Sequence, residues 1–151
     1  MLLSPHFHLS QFTLSQTAAR MGRQIVAGPE IVAALDALCD AILEPVWEHF
    51  GDVHISSGYR PDWLNRVLSG TANHSQHMEG RAADFTCPGH SVEEVTRWLG
   101  DSELPFDQLI YEFAAWTHVS FDDARNRKEV LTARHPGTQG QPTIYLPGIQ
   151  I

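Results

Sequence analysis

Residues 106–121 read FDQLIYEFAAWTHVSF, and their alternation decides the kind of fold the chain takes. Gln108, Ile110 and Glu112 fall on one side of an extended strand, with Leu109, Tyr111 and Phe113 on the other. Further on, Trp116, His118 and Ser120 alternate with Thr117, Val119 and Phe121. A period of two on both sides of a tight join around Ala114 and Ala115 predicts a β-hairpin. If the chain turns there, Glu112 and His118 share the hairpin's open face.

Working outward, residues 75–85, SQHMEGRAADF, hold His77 and Asp84 at a spacing that neither a helix nor a strand period brings together. A bend at Gly80 followed by a strand resolves this. Ala82 and Asp84 then point to an open side, and Ala83 and Phe85 to the core. A carboxylate beside a histidine is either a hydrogen-bonded structural pair or two ligands of one metal, and this stretch alone supports both equally.

From Pro29 to Phe50 the period is helical, with Ile31, Ala34, Leu35, Leu38, Ala41 and Ile42 at spacings of three and four and Gly51 just past the end. Pro45 should kink this helix or split off its last turn. VHISSGYR (53–60) reads as a strand, and PDWLNRVLSG (61–70) as a turn and short helix ending at Gly70. SVEEVTRWLG (91–100) opens with a capping box from Ser91 to Glu94 and closes on Gly100. KEVLTARH (128–135) offers a third strand, and the Gly- and Pro-rich tail 134–151 reads as an irregular arm or a final short strand. The expected fold is α+β, helices packed on one mainly antiparallel sheet.

Composition bounds the function. A chain of 151 residues, 42% hydrophobic and 19% charged, reads as one globular domain spanning 1–151 that buries roughly two-thirds of its unfolded surface. Its formal net charge is −8, from 18 acidic and 10 basic residues with no Lys/Arg cluster, which argues against nucleic acid or an anionic membrane as partner. Cys39 and Cys87 stand far apart in no metal-like spacing, as expected of a chain made in a reducing compartment. MLLSPHFHLSQF at the start has no signal-peptide character, and no segment has the apolar length of a membrane span. The expectation is synthesis in a cytoplasm without a signal peptide, with release by some other agent.

Nine histidines raise the weight of metal or acid/base chemistry. Two histidines, an aspartate and a glutamate converging would make the inventory of a catalytic zinc site: three protein ligands, an open position, and a separate carboxylate to move protons. A histidine on a strand is more often a surface or core residue, and His74, three before His77, offers an alternative ligand pair on a helical turn. HExxH, GxSxG and CxxC are absent, so no rival chemistry presents itself.

SQHMEGRAAD (75–84) also fits the SxHxxGxAxD signature of the M15 zinc peptidases, the D-alanyl-D-alanine carboxypeptidase and dipeptidase family that includes phage L-alanyl-D-glutamate endopeptidases. FTLSQTAARMG (12–22), LEPVWEHFG (43–51), SSGYRPDWLN (56–65), FDQLIYEF (106–113) and WTHVSF (116–121) occur in the order seen in its small single-domain branch. The chain resembles that branch over residues 7–121.

The resemblance implies a hedgehog/D-Ala-D-Ala peptidase-like fold, Zn2+ held by His77, Asp84 and His118, and a catalytic glutamate at Glu112. One common form of the family carries the acid three residues before the last ligand, which here is Ala115 and cannot act. The hedgehog domains, which share the zinc fold, carry a glutamate six residues before it, the spacing of Glu112 to His118. Arg60 matches the arginine that holds a substrate carboxylate, and Ser75 the serine that orients substrate or supports the loop. Trp116 is expected to wall the site, Asn65 and Gly80 to be structural, and His135 to be no ligand.

The substrates so implied are peptidoglycan stem peptides. The favoured activity is that of a phage or prophage endolysin cutting L-Ala-D-Glu in the periplasm or cell wall. A D-Ala-D-Ala carboxypeptidase or dipeptidase, and a non-enzymatic zinc-containing binding module, are the alternatives. The protein is expected to act as a monomer, without membrane insertion and without a separate wall-binding domain.

Overall fold

The computed structural model describes residues 1–68 and 74–151. Strands β1 (Leu2–Ser4) and β2 (Phe7–His8) pair as a short antiparallel ribbon, followed by a 3-10 turn over Leu9–Phe12 and helix α1 (Gln16–Arg20). The ribbon is too short to show a period and was not foreseen.

Helix α2 (Pro29–Leu38) runs through a π-helical turn (Cys39–Leu43) into α3 (Glu44–Phe50). The turn is the chain's answer to Pro45, which has no N–H to donate and crowds the carbonyl four residues back. One extra residue is taken into the turn just ahead of it, and Glu44 N–H donates to Cys39 O. The predicted kink is thus a widened turn on the N-terminal side of the proline.

Strand β3 (His54–Ser57), helix α4 (Asp62–Val67), a 3-10 turn over Gln76–Glu79 and strand β4 (Ala82–Thr86) follow. The end foreseen at Gly70 lies outside the described residues, and α4 ends at Val67. Helix α5 (Val92–Asp101) starts where expected, Ser91 Oγ accepting Glu94 N–H at 3.0 Å. It runs one residue past Gly100, which is packed against Leu109.

The remaining strands are β5 (Gln108–Glu112), β6 (Trp116–Ser120), β7 (Glu129–Arg134) and β8 (Ile144–Pro147). The six-stranded sheet has the order β3-β4-β6-β5-β7-β8, antiparallel except where β7 lies parallel to β5. The fold is α+β, as the periodicities predicted.

One face of the sheet carries Ala83, Phe85, Leu109 and Val119 into a core with Leu35, Leu38, Ile42, Val46, Val95 and Leu99 from the helices. Burying side chains of this size contributes about 1.5–3 kcal/mol each. The helices thereby leave the opposite face, that of Asp84, Ile110, Glu112 and His118, as the floor of a cleft. No helix among the described residues is long and apolar enough to cross a membrane.

Candidate metal centre

The cleft holds about 560 Å³. Its floor follows from strand register. Asp84 lies directly across the β4–β6 ladder from His118, and His118 across the β5–β6 ladder from Ile110. Opposite residues of a ladder point the same way, so the β4 aspartate and the β6 histidine meet on the face away from the helices.

His77 arrives from above, on the 3-10 turn that Ser75 caps by accepting His77 N–H at 3.2 Å. Gly80 ends that turn in the left-handed region, φ 71°, pressed against Ile31. The bend foreseen at Gly80 is there. Asp84 does face the cleft side of the sheet, as foreseen, but His77, Asp84 and His118 are only 3%, 7% and 6% exposed there, because the turn folds back over the strand.

One ligand-capable atom from each of these three residues lies within 4.8 Å of the other two. His77 Nδ1 donates to Gly58 O at 2.8 Å, which turns Nε2 toward Asp84 Oδ1 at 3.3 Å. His118 Nδ1 lies 2.8 Å from the same oxygen. Burial works against the Asp84 charge, yet the two histidines outweigh it and hold the carboxyl well below the usual range.

Glu112 Oε1 is 3.7 Å from His118 Nδ1. Its carboxyl is pushed up to about 7, first by burial and then by the Asp84 charge, with His118 and Arg60 pulling partly the other way. Arg60 Nη1 donates to Asn65 Oδ1 at 3.2 Å and Nη2 to Ser57 Oγ at 3.5 Å. Its Nε is a buried cleft atom with no hydrogen-bond partner among the described residues, and Trp116 stands beside the Glu112 carboxyl, where its indole N–H favours the charged form. Arg60 Nε is a donor, so this part of the cleft calls for a ligand that brings an acceptor oxygen.

All seven predicted site residues line this one cleft. A family model described as Peptidase M15 matches residues 5–120. The chain belongs to the Peptidase M15 family. No curated protein matches it. M15 proteins are zinc peptidases, and the donor set fits that metal: two imidazoles and a carboxylate, with one histidine's second nitrogen fixed by a carbonyl. Bonds of 2.0–2.1 Å in tetrahedral geometry imply ligand atoms about 3.3 Å apart, which the His77–Asp84 pair meets and the His118–Asp84 pair, at 2.8 Å, falls short of.

His74 is not drawn into this M15 cluster and instead pairs with Glu79 at 2.8 Å on the surface. His135 stacks on Phe113, centroids 4.1 Å apart, in the cleft wall. The cleft also takes Gln76, Arg125, Arg127, Thr143 and Tyr145, none of which was singled out beforehand. Thr143 and Tyr145 come from the tail, which β8 fastens to β7 with Ala133 opposite Tyr145. Only the β-branched and aromatic run TIYL hinted at that strand.

Proposed function

We propose that the protein is a single-domain zinc peptidase, residues 1–151, that hydrolyses peptidoglycan stem peptides, with His77, Asp84 and His118 as ligands and Glu112 as general base. The observation that carries this reading is a buried His-Asp-His set, its ligand-capable atoms within 4.8 Å of one another on the floor of a cleft, with the Glu112 carboxyl 3.7 Å from His118. Zinc, when bound, supplies Lewis acidity toward the scissile carbonyl and acidifies a water.

The chain's own residues do the rest. Asp84 and the two histidines hold the metal, and Gly58 O keeps His77 in the ligating tautomer. Glu112, 3.7 Å from His118 at the edge of the centre, can take the proton of the attacking water and return it to the leaving amine. Arg60, steadied by Asn65 and Ser57, offers a planar fork to a substrate carboxylate. Trp116 walls the site next to Glu112.

Among stem-peptide bonds we favour L-Ala-D-Glu, where the free α-carboxylate of D-Glu lies next to the scissile bond and within the chemistry of Arg60. Cleavage there by a phage or prophage endolysin in the periplasm or wall agrees with the likeness to the small single-domain branch. Digestion of purified Gram-negative peptidoglycan by the zinc-loaded protein, followed by mass spectrometry, tests this. New D-Glu amino ends are expected. Release of terminal D-Ala would make the enzyme a carboxypeptidase, and no zinc-dependent product would leave a binding module.

A further inference from the structure

One end of the cleft carries two arginines that the chemistry above does not use. Asp107 immediately precedes β5 with a side chain 0% exposed. Its carboxylate accepts Arg127 N–H at 3.1 Å, Arg127 Nε at 2.8 Å, Arg127 Nη2 at 3.1 Å, Gln76 Nε2 at 2.9 Å and Arg125 Nη2 at 3.3 Å. A carboxylate has lone-pair room for about four donors. Arg127 grips both oxygens and neutralises the buried charge by itself. Three donors crowd Oδ2, and Arg125 is the longest of them. Arg125 is surplus to burying Asp107.

The other acids of this corner are committed elsewhere. Asp122 takes Arg81 at 2.7 Å, while Glu129 accepts Gln108 Nε2 at 2.8 Å and faces Arg127 Nη1 at 3.8 Å. Arg125 keeps a side chain 54% exposed on the cleft wall, with most of its donors unused. It reaches the start of β5, whereas Glu112 ends that strand. Gln108 to Glu112 spans about 14 Å, with His118 opposite the midpoint.

We infer that Arg125 forms a second anion subsite, taking a substrate carboxylate on the side of the metal centre away from Glu112. This rests on the peptidase reading above and narrows its substrate to stem peptides whose third residue is diaminopimelate. Diaminopimelate and lysine at that position differ by one carboxylate on the terminal side-chain carbon. The carboxylate meets a guanidinium with free donors, and a lysine ammonium meets a like charge.

The test is calorimetric titration of the zinc-loaded full chain carrying Glu112→Ala, so that nothing is turned over, with L-Ala-γ-D-Glu-diaminopimelate and with L-Ala-γ-D-Glu-L-Lys. The diaminopimelate peptide is expected to bind roughly tenfold tighter. Adding Arg125→Gln should collapse that ratio toward one, and Arg125→Lys should keep part of it. A merely structural role for Arg125 would weaken both peptides together and leave the ratio intact. Equal binding of the two peptides, or a ratio that survives Arg125→Gln, overturns the inference while the peptidase reading stands. Binding of neither peptide overturns both.

Discussion

Asp84 and His118 face one another across the β4–β6 ladder, Oδ1 of one 2.8 Å from Nδ1 of the other. The pairing is built into the sheet, whose register sets both side chains on the same face at adjoining positions. Replacing His77, Asp84 or His118 with Ala should therefore cut bound zinc after dialysis from about one per chain to a small fraction. Metal analysis by mass spectrometry reads this directly, and a variant that kept full zinc affinity would remove its residue from the ligand set.

Glu112 lies one step further along β5, near the centre but outside the cluster of three. Glu112→Gln keeps shape and loses the base. Zinc content should stay as in the wild type while kcat falls by about 10²–10⁴. Loss of zinc along with activity would instead make Glu112 a ligand.

The shared face of these side chains was legible because it rides on periodicity, whereas the ligand set of His77, Asp84 and His118 was implied by the resemblance to the M15 peptidases. Alternation on both sides of residues 113–115 put Glu112 and His118 on one face, and Gly80 explained how His77 could reach Asp84. What local pattern does not carry is the partner of a strand: β7 reads as a strand, but nothing in KEVLTARH says that it lies parallel to β5. The hairpin turn lies where it was expected, around Ala114 and Ala115, but its backbone conformation was not legible. Phe113 and Ala114 both sit at φ 56°, a region residues with side chains rarely adopt, and neither is the Gly or Asn that advertises it. Stacking of Phe113 on His135 helps hold it there, so the turn depends on the distant tail. That tail lines the cleft with Tyr145, 56% exposed on an edge strand, where no buried face imposes a pattern.

Gly58 joins the core to the centre. A Cβ there would meet Phe12 Cα at 2.6 Å and Phe12 Cβ and O at 2.7 Å, and Phe12 is fully buried. The Gly58 carbonyl is also the acceptor that orients His77. Gly58→Ala should cost about 1–3 kcal/mol of stability by overpacking and weaken zinc binding in the molecules that still fold. Denaturant unfolding with zinc titration checks both. Unchanged stability would mean that β3 and the Leu9–Phe12 turn can move apart freely.

Cys39 and Cys87 are both buried, and burial pushes each thiol up to about 12. The thiolate is the reactive form, so neither should react with an aromatic disulfide reagent at neutral pH in the native state. Both should react once the chain is unfolded in denaturant. Rapid labelling of either in the folded protein would require an opening of the core around α2 or the end of β4.

Asp107 sets an acid limit on the fold. Burial opposes its charge, but Arg127 and Gln76 more than offset this and bring the carboxyl down from 3.8 to about 2. Because the folded value is the lower one, the stabilisation is fully present above about pH 4 and is lost as pH falls through that window toward 2. It amounts to about 2 kcal/mol. Asp107→Asn removes the titrating group, so the stability gap between wild type and variant should be widest near pH 6 and narrow steadily below pH 4 in denaturant melts. A gap that did not change with pH would show that Asp107 contributes through packing alone. Since Gln76 sits beside His77 and donates to Asp107, the same variant should also loosen the turn that carries His77, lowering zinc affinity at neutral pH without touching a ligand.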